Sequence, residues 1–531
     1  MLLSAACSEQ GAGDRAPASP PIGPIAPPGE PASPGPQASA SAIGAPVASA
    51  SASASASAAA GASPVASALP PVPPGPRIYA KARFVWIHPE ARPGNGWIGY
   101  LSLGTSAALK GGSVESARTA GFGCGAWYAI EPRGYVCADD AATIDPDDPA
   151  VVALMRDRPR VDSPWPFEYG ESTGAPRYDR LPTPEEQHKA EWDLDAHQQK
   201  IAKALATPGG PIDKELDGVD LSHASEPAPP SLYPFGPAVR EARTWIAPGS
   251  TVAYNRSFEL GGRTFLLSSD KMLIPKDRVK PYPRSLFHGV ELGKDVSLPL
   301  AFFRKTAHPK YQRNADGSFV KTEQSWDRHA WVMLTGEEIK AGAQTFLPTR
   351  EPGIFTLADD ATVIRAATVA PAGKNDPALK DPGRRTWLDV SVLGGWLVAY
   401  EGLTPVFATL ISPGRGGVPY EGHDPLETAS TPTGVFRVDG KFVTATMVSS
   451  SNDLIVHTEV QYVQNFHGPH ALHGAYWHDL WGEPKSGGCI NLAPIDAKRV
   501  FEWTEPELPK DWYGMRSVAD VGAVTAVWVH R

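Results

Sequence analysis

Positive charge, cysteine and long apolar runs are all scarce in this sequence of 531 residues. Lys and Arg number 49 against 58 Asp and Glu, giving a formal net charge of −9. A chain without a basic surplus is not a general nucleic-acid binder. No stretch of about 18 apolar residues occurs, so we predict no transmembrane helix. The four cysteines lie in such different contexts that each group needs its own explanation.

Proline and glycine are abundant instead. The chain has 55 Pro and 51 Gly, too many for a helical bundle, and this predicts short strands separated by turns. Hydrophobic residues make up 42% and charged residues 20%, which allows a sizeable buried core. We therefore predict a mainly β protein with two or three domains.

The N-terminal segment is interpreted as an anchor followed by a tether. Small residues precede Cys7, as at the end of a bacterial lipoprotein signal, so residues 1–10 are a candidate signal remnant and Cys7 a candidate lipidation site. Residues 11–76 are almost only Ala, Ser, Pro and Gly, and such a segment is predicted to be a disordered linker. Together they predict an exported, periplasmic protein with a lipid anchor to a membrane. A cysteine without a role and a linker without a lipid are the alternatives.

Cys124 and Cys137 flank a predicted hairpin whose turn is Pro132-Arg133-Gly134. Cysteines at the outer ends of a hairpin lie close enough to bridge, and the closed loop is worth about 3 kcal/mol in the chain-entropy model. We predict a disulfide, with buried free thiols as the alternative. A disulfide needs an oxidising compartment, which supports export independently of Cys7.

The chain after the linker divides into three predicted regions before its last third. Residues 77–140 resemble bacterial SH3-like β-barrel modules, which often bind cell-wall peptides. Residues 141–235 are Pro-rich and irregular, with one helix that starts at Pro184 behind the N-cap Thr183 and continues to about residue 205. Residues 236–384 form further β-rich modules without an assigned function.

The last region, 385–531, predicts an antiparallel β-sandwich. Segments 387–392, 396–400 and 405–412 alternate between apolar and polar residues and are joined by tight glycine turns. Near its end, His473-Gly474 precedes Ser486-Gly487-Gly488-Cys489. An imidazole near a thiol favours the thiolate, and glycine amides can hold a developing oxyanion. These residues indicate a cysteine acyltransferase or peptidase.

Region 385–531 resembles the L,D-transpeptidase (YkuD-type) catalytic domain of bacterial cell-wall enzymes. The residues that match its motif are His473, Gly474, Ser486, Gly488, Cys489 and Asn491. Residues 431–436 (Thr-Pro-Thr-Gly-Val-Phe) and the start of a helix at 496–498 match as well. The resemblance covers roughly a quarter of the chain.

The resemblance implies a peptidoglycan L,D-transpeptidase that cross-links diamino acid residues of stem tetrapeptides. Cys489 would be the nucleophile, His473 the base and the Gly474 carbonyl its orienting group. The implied oxyanion donors are the amides of Gly487, Gly488 and Cys489, and the implied substrate contacts are Asn491, Ser486, Tyr476 and Trp477. The implied partners are stem peptides and the cell wall. The resemblance implies no cofactor and no metal, and carbapenem-type β-lactams are expected to acylate the cysteine.

Three alternatives stay open. Gly487 replaces the family's usual His, so a degenerate peptidoglycan-binding scaffold is one alternative. An L,D-carboxypeptidase or other hydrolase with the same Cys-His site is another. His467, His470 and His473 recur every third residue and invite a zinc interpretation, but they lack a His-Glu-x-x-His pattern.

Overall fold

The computed structural model describes residues 74–94, 96–207, 210–227, 244–371, 385–448, 455–516 and 522–531. Cys7, the candidate signal remnant and nearly all of the predicted linker lie outside these ranges. Within them, no helix is long and apolar enough to cross a membrane.

Strand residues outnumber helical residues, 39% against 12%, which confirms the mainly β prediction. The helices are α1 (Val114–Ala117), α2 (Pro149–Arg156), α3 (Pro184–Ala190), α4 (Leu194–Ala206) and α5 (Pro494–Trp503). Short 3-10 turns cover Lys110–Gly112, Lys276–Arg278 and Ala358–Asp360.

The strands fall into three groups along the chain. The first is β1 (Arg77–Ala80), β2 (Val85–Ile87), β3 (Gly99–Leu101), β4 (Ser106–Ala108), β5 (Arg118–Thr119), β6 (Trp127–Ala129), β7 (Tyr135–Cys137), β8 (Ala142–Thr143), β9 (Glu168–Ser172) and β10 (Ala175–Pro176). The second is β11 (Trp245–Ile246), β12 (Thr251–Leu260), β13 (Arg263–Ser268), β14 (Leu273–Pro275), β15 (Val279–Pro281), β16 (Val290–Glu291), β17 (Leu300–Phe302), β18 (His308–Arg313), β19 (Phe319–Trp326), β20 (Trp331–Met333), β21 (Ile339–Ala341), β22 (Gln344–Pro348), β23 (Phe355–Leu357) and β24 (Thr362–Ile364). The third is β25 (Thr386–Ser391), β26 (Trp396–Glu401), β27 (Thr404–Leu410), β28 (Gly434–Arg437), β29 (Gly440–Val448), β30 (Val456–His467), β31 (His470–Gly474), β32 (Ile490–Leu492), β33 (Gly514–Arg516) and β34 (Ala526–His530).

Two sheets of the C-terminal region form a sandwich. The six-stranded sheet has the order β16-β27-β26-β25-β34-β28, and the seven-stranded sheet has the order β2-β3-β33-β29-β30-β31-β32. Leu388 and Val390 of the first sheet share a buried cluster with Val460 and Leu472 of the second. The prediction of a purely antiparallel sandwich is wrong for two pairs, because β25–β34 and β31–β32 are parallel. Long connections permit parallel pairing, whereas the tight turns of the β25–β27 meander do not.

Strands from the two preceding regions complete these sheets. β3 pairs with β33 and β2 pairs with β3, while β16 pairs with β27. An SH3-like barrel over 77–140 is therefore not specifically supported, since its strands are shared between small sheets and the C-terminal sandwich. Added strands cover backbone groups that β33 and β27 would otherwise present at a sheet edge.

The other sheets are small and lie before residue 385. Their strand orders are β4-β1-β8, β5-β6-β7, β14-β13-β12-β9-β15, β10-β11, β20-β17-β24 and β19-β18-β23-β22-β21. The β6–β7 hairpin carries the predicted disulfide: Cys124 is bonded to Cys137, with their Cα atoms 6.0 Å apart.

The predicted helix after Thr183 is broken into α3 and α4. Its start is as predicted, with Pro184 in the first turn and a capping box between Thr183 and Glu186. The break follows from Glu191, whose buried carboxylate pairs with Arg263 at 2.7 Å and Arg278 at 3.0 Å. A buried charge requires such partners, and an uninterrupted helix would compete with this local bend.

α5 packs against the seven-stranded sheet and carries a buried carboxylate, Asp496. The Gly289 amide donates to it at 2.8 Å, and the Thr409 hydroxyl donates to its other oxygen. Burial raises the pKa of Asp496 to about 7 despite these donors. Asp496 therefore joins α5 to β27 and to the backbone before β16. Near neutral pH, the buried carboxylate lowers stability when it is charged.

We predict that Asp496→Asn stabilises the protein at pH 8. The folded state holds a proton on Asp496 that the unfolded state has released above its ordinary pKa, so wild-type stability falls as pH rises through about 7. Asn keeps both contacts, because its oxygen accepts from Gly289 and its NH₂ donates to the Thr409 hydroxyl. Urea unfolding should show a gain that grows to about 4 kcal/mol between pH 4 and pH 8. If the free energies of unfolding of the two proteins changed in parallel with pH, the prediction would be contradicted.

We also predict that Cys124→Ser combined with Cys137→Ser lowers stability under oxidising conditions by about 3 kcal/mol. The open hairpin regains chain entropy in the unfolded state. Thermal unfolding with and without a reductant measures the effect, and the reductant should shift only the wild-type midpoint. An unchanged midpoint in the double variant is the contrary result.

Candidate functional site

The predicted base lies on β31, and the predicted nucleophile lies directly before the adjacent strand β32. β31 and β32 pair in parallel, with His473 opposite Asn491. Side chains at paired positions of a parallel ladder point to the same face, and side chains two residues apart share that face. Cys489 lies two residues before Asn491, so this alternation directs the thiol to the face that carries the imidazole.

The ring of His473 is oriented by the residue that follows it. Its Nδ1 lies 3.0 Å from the carbonyl oxygen of Gly474. A carbonyl oxygen only accepts, so Nδ1 carries the proton and Nε2 keeps the lone pair. This is the orienting hydrogen bond that the resemblance implied for Gly474.

Burial keeps the imidazoles around the site uncharged. It lowers the pKa of His473 to about 4, against the raising effect of the Gly474 hydrogen bond. Burial, and then the neighbouring His473, lower the pKa of His457 to about 4. Burial also lowers the pKa of His478 to about 3, with Lys485 and His473 adding to the effect. At neutral pH His473 is therefore an unprotonated base.

Cys489 is 3% exposed and is not part of a disulfide. It lies directly before β32 and packs in the same apolar cluster as Ile490 and Leu492. A nucleophile in such surroundings is shielded from bulk water, and the groups next to it decide when it loses its proton.

The loop before the cysteine is held by hydrogen bonds between two of the predicted site residues. The Ser486 hydroxyl donates to the Cys489 carbonyl at 2.5 Å and accepts from the Gly488 amide at 3.0 Å. Ser486 therefore shapes the turn, and the Gly488 amide is engaged within it. Serine hydroxyls commonly satisfy nearby amides in turns, and this competes with a role toward a ligand.

Gly488 and Gly487 have different environments. Gly488 adopts φ +127°, and a Cβ there would lie 2.8 Å from the Ser430 carbonyl oxygen and 2.9 Å from Nε2 of His470. Only glycine fits this position. Gly487 is half-buried, and a Cβ added there would meet no atom within 4 Å.

Asn491 is 1% exposed, which argues against the predicted substrate contact. Its backbone exchanges hydrogen bonds with Ser412 at 2.9 and 3.0 Å. Its side-chain amide lies 3.2 Å from Nε2 of His478, whose Nδ1 accepts from the Leu480 amide. Asn491 therefore joins β32 to the loop that follows β31.

The two aromatic residues predicted to contact substrate have different surroundings. Tyr476 is buried, stacks on Tyr169 at 3.8 Å, and bonds to Thr251 and Thr458. It therefore anchors a preceding region of the chain to the residues that follow β31. Trp477 is half-buried, and its ring centroid lies 5.9 Å from that of His473, so it lines the site.

Two further histidines lie near the site, and neither was predicted to take part in acyl transfer. His457 stacks on Trp477 at 4.3 Å, and His470 packs against Gly488. Their proximity depends on the pairing of β30 with β31 and on the loop path, which residue spacing does not reveal.

The zinc alternative gains no support. His470 and His473 are three residues apart on β31, so they point to opposite faces of the strand. Among the described residues, no group of three or more His, Cys, Asp or Glu is arranged to hold a metal ion.

Comparison with known proteins identifies one domain. Residues 385–522 match the family model YkuD, the L,D-transpeptidase catalytic domain. No curated protein matches the sequence.

Solved structures similar to this chain include three L,D-transpeptidases. That of Xylanimonas cellulosilytica is 18% identical, with a TM-score of 0.18, over 27% of this chain and 60% of the other. That of Enterococcus faecium is 21% identical, with a TM-score of 0.21, over 28% and 50%. L,D-transpeptidase 3 of Mycobacterium tuberculosis, in complex with a faropenem-derived adduct, is 14% identical, with a TM-score of 0.21, over 42% and 77%. This chain spans less than two thirds of the length of the first two of these structures.

We predict that His473→Ala slows alkylation of Cys489 by iodoacetamide roughly 100-fold at pH 7, because the thiol loses its base. Peptide mass spectrometry locates the adduct and excludes other cysteines. His467→Ala, which removes an exposed imidazole, is the control and should leave the rate unchanged. Equal rates in all three proteins would show that the imidazole does not act on the thiol.

Proposed function

We propose that this chain, whose residues 385–522 form an L,D-transpeptidase catalytic domain of the YkuD type, is a cysteine acyltransferase acting on peptidoglycan stem peptides. The observation that carries the proposal is the pairing of β31 with β32. It supports the proposal because strand alternation puts Cys489 and His473 on one face, and the Gly474 carbonyl orients the His473 ring. A thiol with a neutral base beside it is the arrangement that acyl transfer requires.

In the first half-reaction, the Cys489 sulfur attacks the carbonyl carbon between the third-position diamino acid and D-Ala. His473 Nε2 takes the thiol proton as the sulfur–carbon bond forms. The carbon–nitrogen bond then breaks, and the proton passes to the leaving amine of D-Ala. The product is a thioester between Cys489 and the shortened stem.

In the second half-reaction, the side-chain amine of a neighbouring stem attacks the thioester. A carbon–nitrogen bond forms and the carbon–sulfur bond breaks, while His473 transfers the amine proton to the departing sulfur. The result is a cross-link between two diamino acids. Water in place of the amine gives hydrolysis, the L,D-carboxypeptidase alternative.

The developing oxyanion needs backbone donors. The Gly488 amide is bonded to Ser486, so we assign this role to the amides of Gly487 and Cys489. Gly487 lies on the open side of the loop. It supplies no imidazole, so the base function falls to His473.

The disulfide and the linker composition support a proposed location outside the cytoplasm. A Cys124–Cys137 bond persists in oxidising compartments. The Ala/Ser/Pro-rich residues 11–76 are suited to span a distance from a membrane. We propose periplasmic export, with Cys7 as the lipid attachment site.

We predict that the full-length protein converts purified disaccharide tetrapeptides into cross-linked dimers with loss of D-Ala. Cys489→Ala should abolish this product because it removes the nucleophile, while its thermal unfolding stays close to that of wild type. Mass spectrometry of the muropeptides gives the readout, and a carbapenem adduct on Cys489, seen by intact mass, gives a second one.

The muropeptide products and the carbapenem adduct distinguish the transpeptidase from the hydrolase and from the wall-binding scaffold. Tripeptide without dimer identifies the hydrolase. Neither product nor carbapenem adduct from folded wild-type protein identifies the wall-binding scaffold and refutes the proposed activity.

A further inference from the structure

The loop between the base and the nucleophile, residues 475–489, is held by a segment outside the matched domain. Contacts from residues 285–328 reach this loop at several points, including an ion pair between Lys305 and Glu483 at 3.3 Å. Because the loop begins at β31 and ends at β32, its path affects the separation of His473 and Cys489.

The tightest of these attachments is at Gly482. Its amide donates to the Ile411 carbonyl oxygen at 2.9 Å, and its carbonyl oxygen accepts from Nη1 of Arg304 at 2.9 Å. Gly482 adopts φ +89°, and a Cβ there would lie 2.7 Å from Cδ of Arg304. Glycine is thus required both by the backbone and by the close passage of the arginine stem.

The Arg304 guanidinium bonds to two other elements besides the loop. Nη2 donates to the Gly394 carbonyl oxygen at 2.5 Å, and Nε donates to the Thr362 hydroxyl of β24. A planar guanidinium with three such acceptors has little freedom to rotate. It therefore fixes the loop relative to the β25–β26 turn, which belongs to the facing sheet of the sandwich.

A second attachment lies three residues earlier, at Asp479. Its carboxylate accepts from the Ser285 hydroxyl at 2.5 Å, from Nε1 of Trp481 at 2.8 Å, and from Arg328 at 3.0 Å. Two of these donors belong to segment 285–328, so the loop is held from that segment on both sides of Trp481.

The held part of the loop leads back to the site through packed rings. Trp481 is fully buried, stacks on Phe287 at 6.3 Å, and lies 4.6 Å from the ring of His478. His478 contacts the side chain of Asn491, which is two residues from Cys489. A displacement at Gly482 would thus shift groups that contact the start of β32.

We propose that Arg304 is a positioning residue for the Cys489–His473 pair, acting through Gly482. The inference rests on the proposed function of this site. It assigns segment 285–328 a role in holding the two proposed catalytic side chains in position. Reactions of this kind lose about 100-fold when the reacting groups move by about 1 Å, so a displaced loop affects rate before it affects folding.

The test is alkylation of Cys489 by iodoacetamide in the full-length chain, measured from pH 5 to pH 9. Arg304→Ala should lower the rate constant ten- to 100-fold and shift the pH profile towards that of a thiol without a base. Arg304→Lys keeps the aliphatic stem and carries a single ammonium group. Its rate constant should lie between those of the wild type and Arg304→Ala. Arg365→Ala is the matched control, since Arg365 is exposed and its ion pair with Glu338 lies at the protein surface.

The outcomes distinguish positioning from stability. A lowered melting temperature in Arg304→Ala, with a wild-type rate and pH profile below that temperature, overturns the proposal. If the alanine protein does not fold, a wild-type profile in folded Arg304→Lys overturns it equally. Alkylation requires only a reactive thiol, so a wild-type protein without transpeptidase activity refutes the proposed function and leaves this test valid.

Discussion

The parallel pairing of β31 with β32 is the interaction on which the rest of the site depends. Parallel neighbours cannot be joined by a tight turn, so the chain must leave the sheet after Gly474 and return before Ile490. This excursion separates His473 from Cys489 in sequence and returns the chain to the strand next to β31. Ordering such a loop costs conformational entropy, which the burial of Trp481 and the hydrogen bonds from Arg304 offset.

Burial determines the chemistry of this pair. A buried imidazole needs hydrogen-bond partners within the protein for its nitrogens. The Gly474 carbonyl accepts from Nδ1 of His473, and this hydrogen bond sets the tautomer of the ring. The same loss of water lowers the pKa of His473 and His457, so neither ring is charged at neutral pH. In the proposed reaction the imidazole therefore acts as a base, with the ring of Trp477 beside it.

The regions between residue 77 and the catalytic domain are part of one compact unit with it. Glu459 of β30 shows this most clearly, because its carboxylate accepts from Arg83 at 2.9 Å, from Ser269 at 3.3 Å, and from Thr444. These donors come from three separate stretches of the chain. A buried carboxylate satisfied in this way ties the stretches together, and such ties explain why strands cross the boundaries predicted from sequence.

The sequence by itself determined the features that depend on neighbouring residues: the β25–β27 meander, the cap of α3, the Cys124–Cys137 hairpin, and the candidate pair Cys489 and His473. Apolar–polar alternation, turn residues and short motifs indicate these features, because each depends on interactions between residues close in sequence. Only the tertiary structure decided that Ser486 and Asn491 support the loop, that Tyr476 is buried against Tyr169, and that Arg304 reaches Gly482. Those contacts join residues up to several hundred positions apart, and residue spacing carries no record of which distant groups the packing of two sheets will bring into contact.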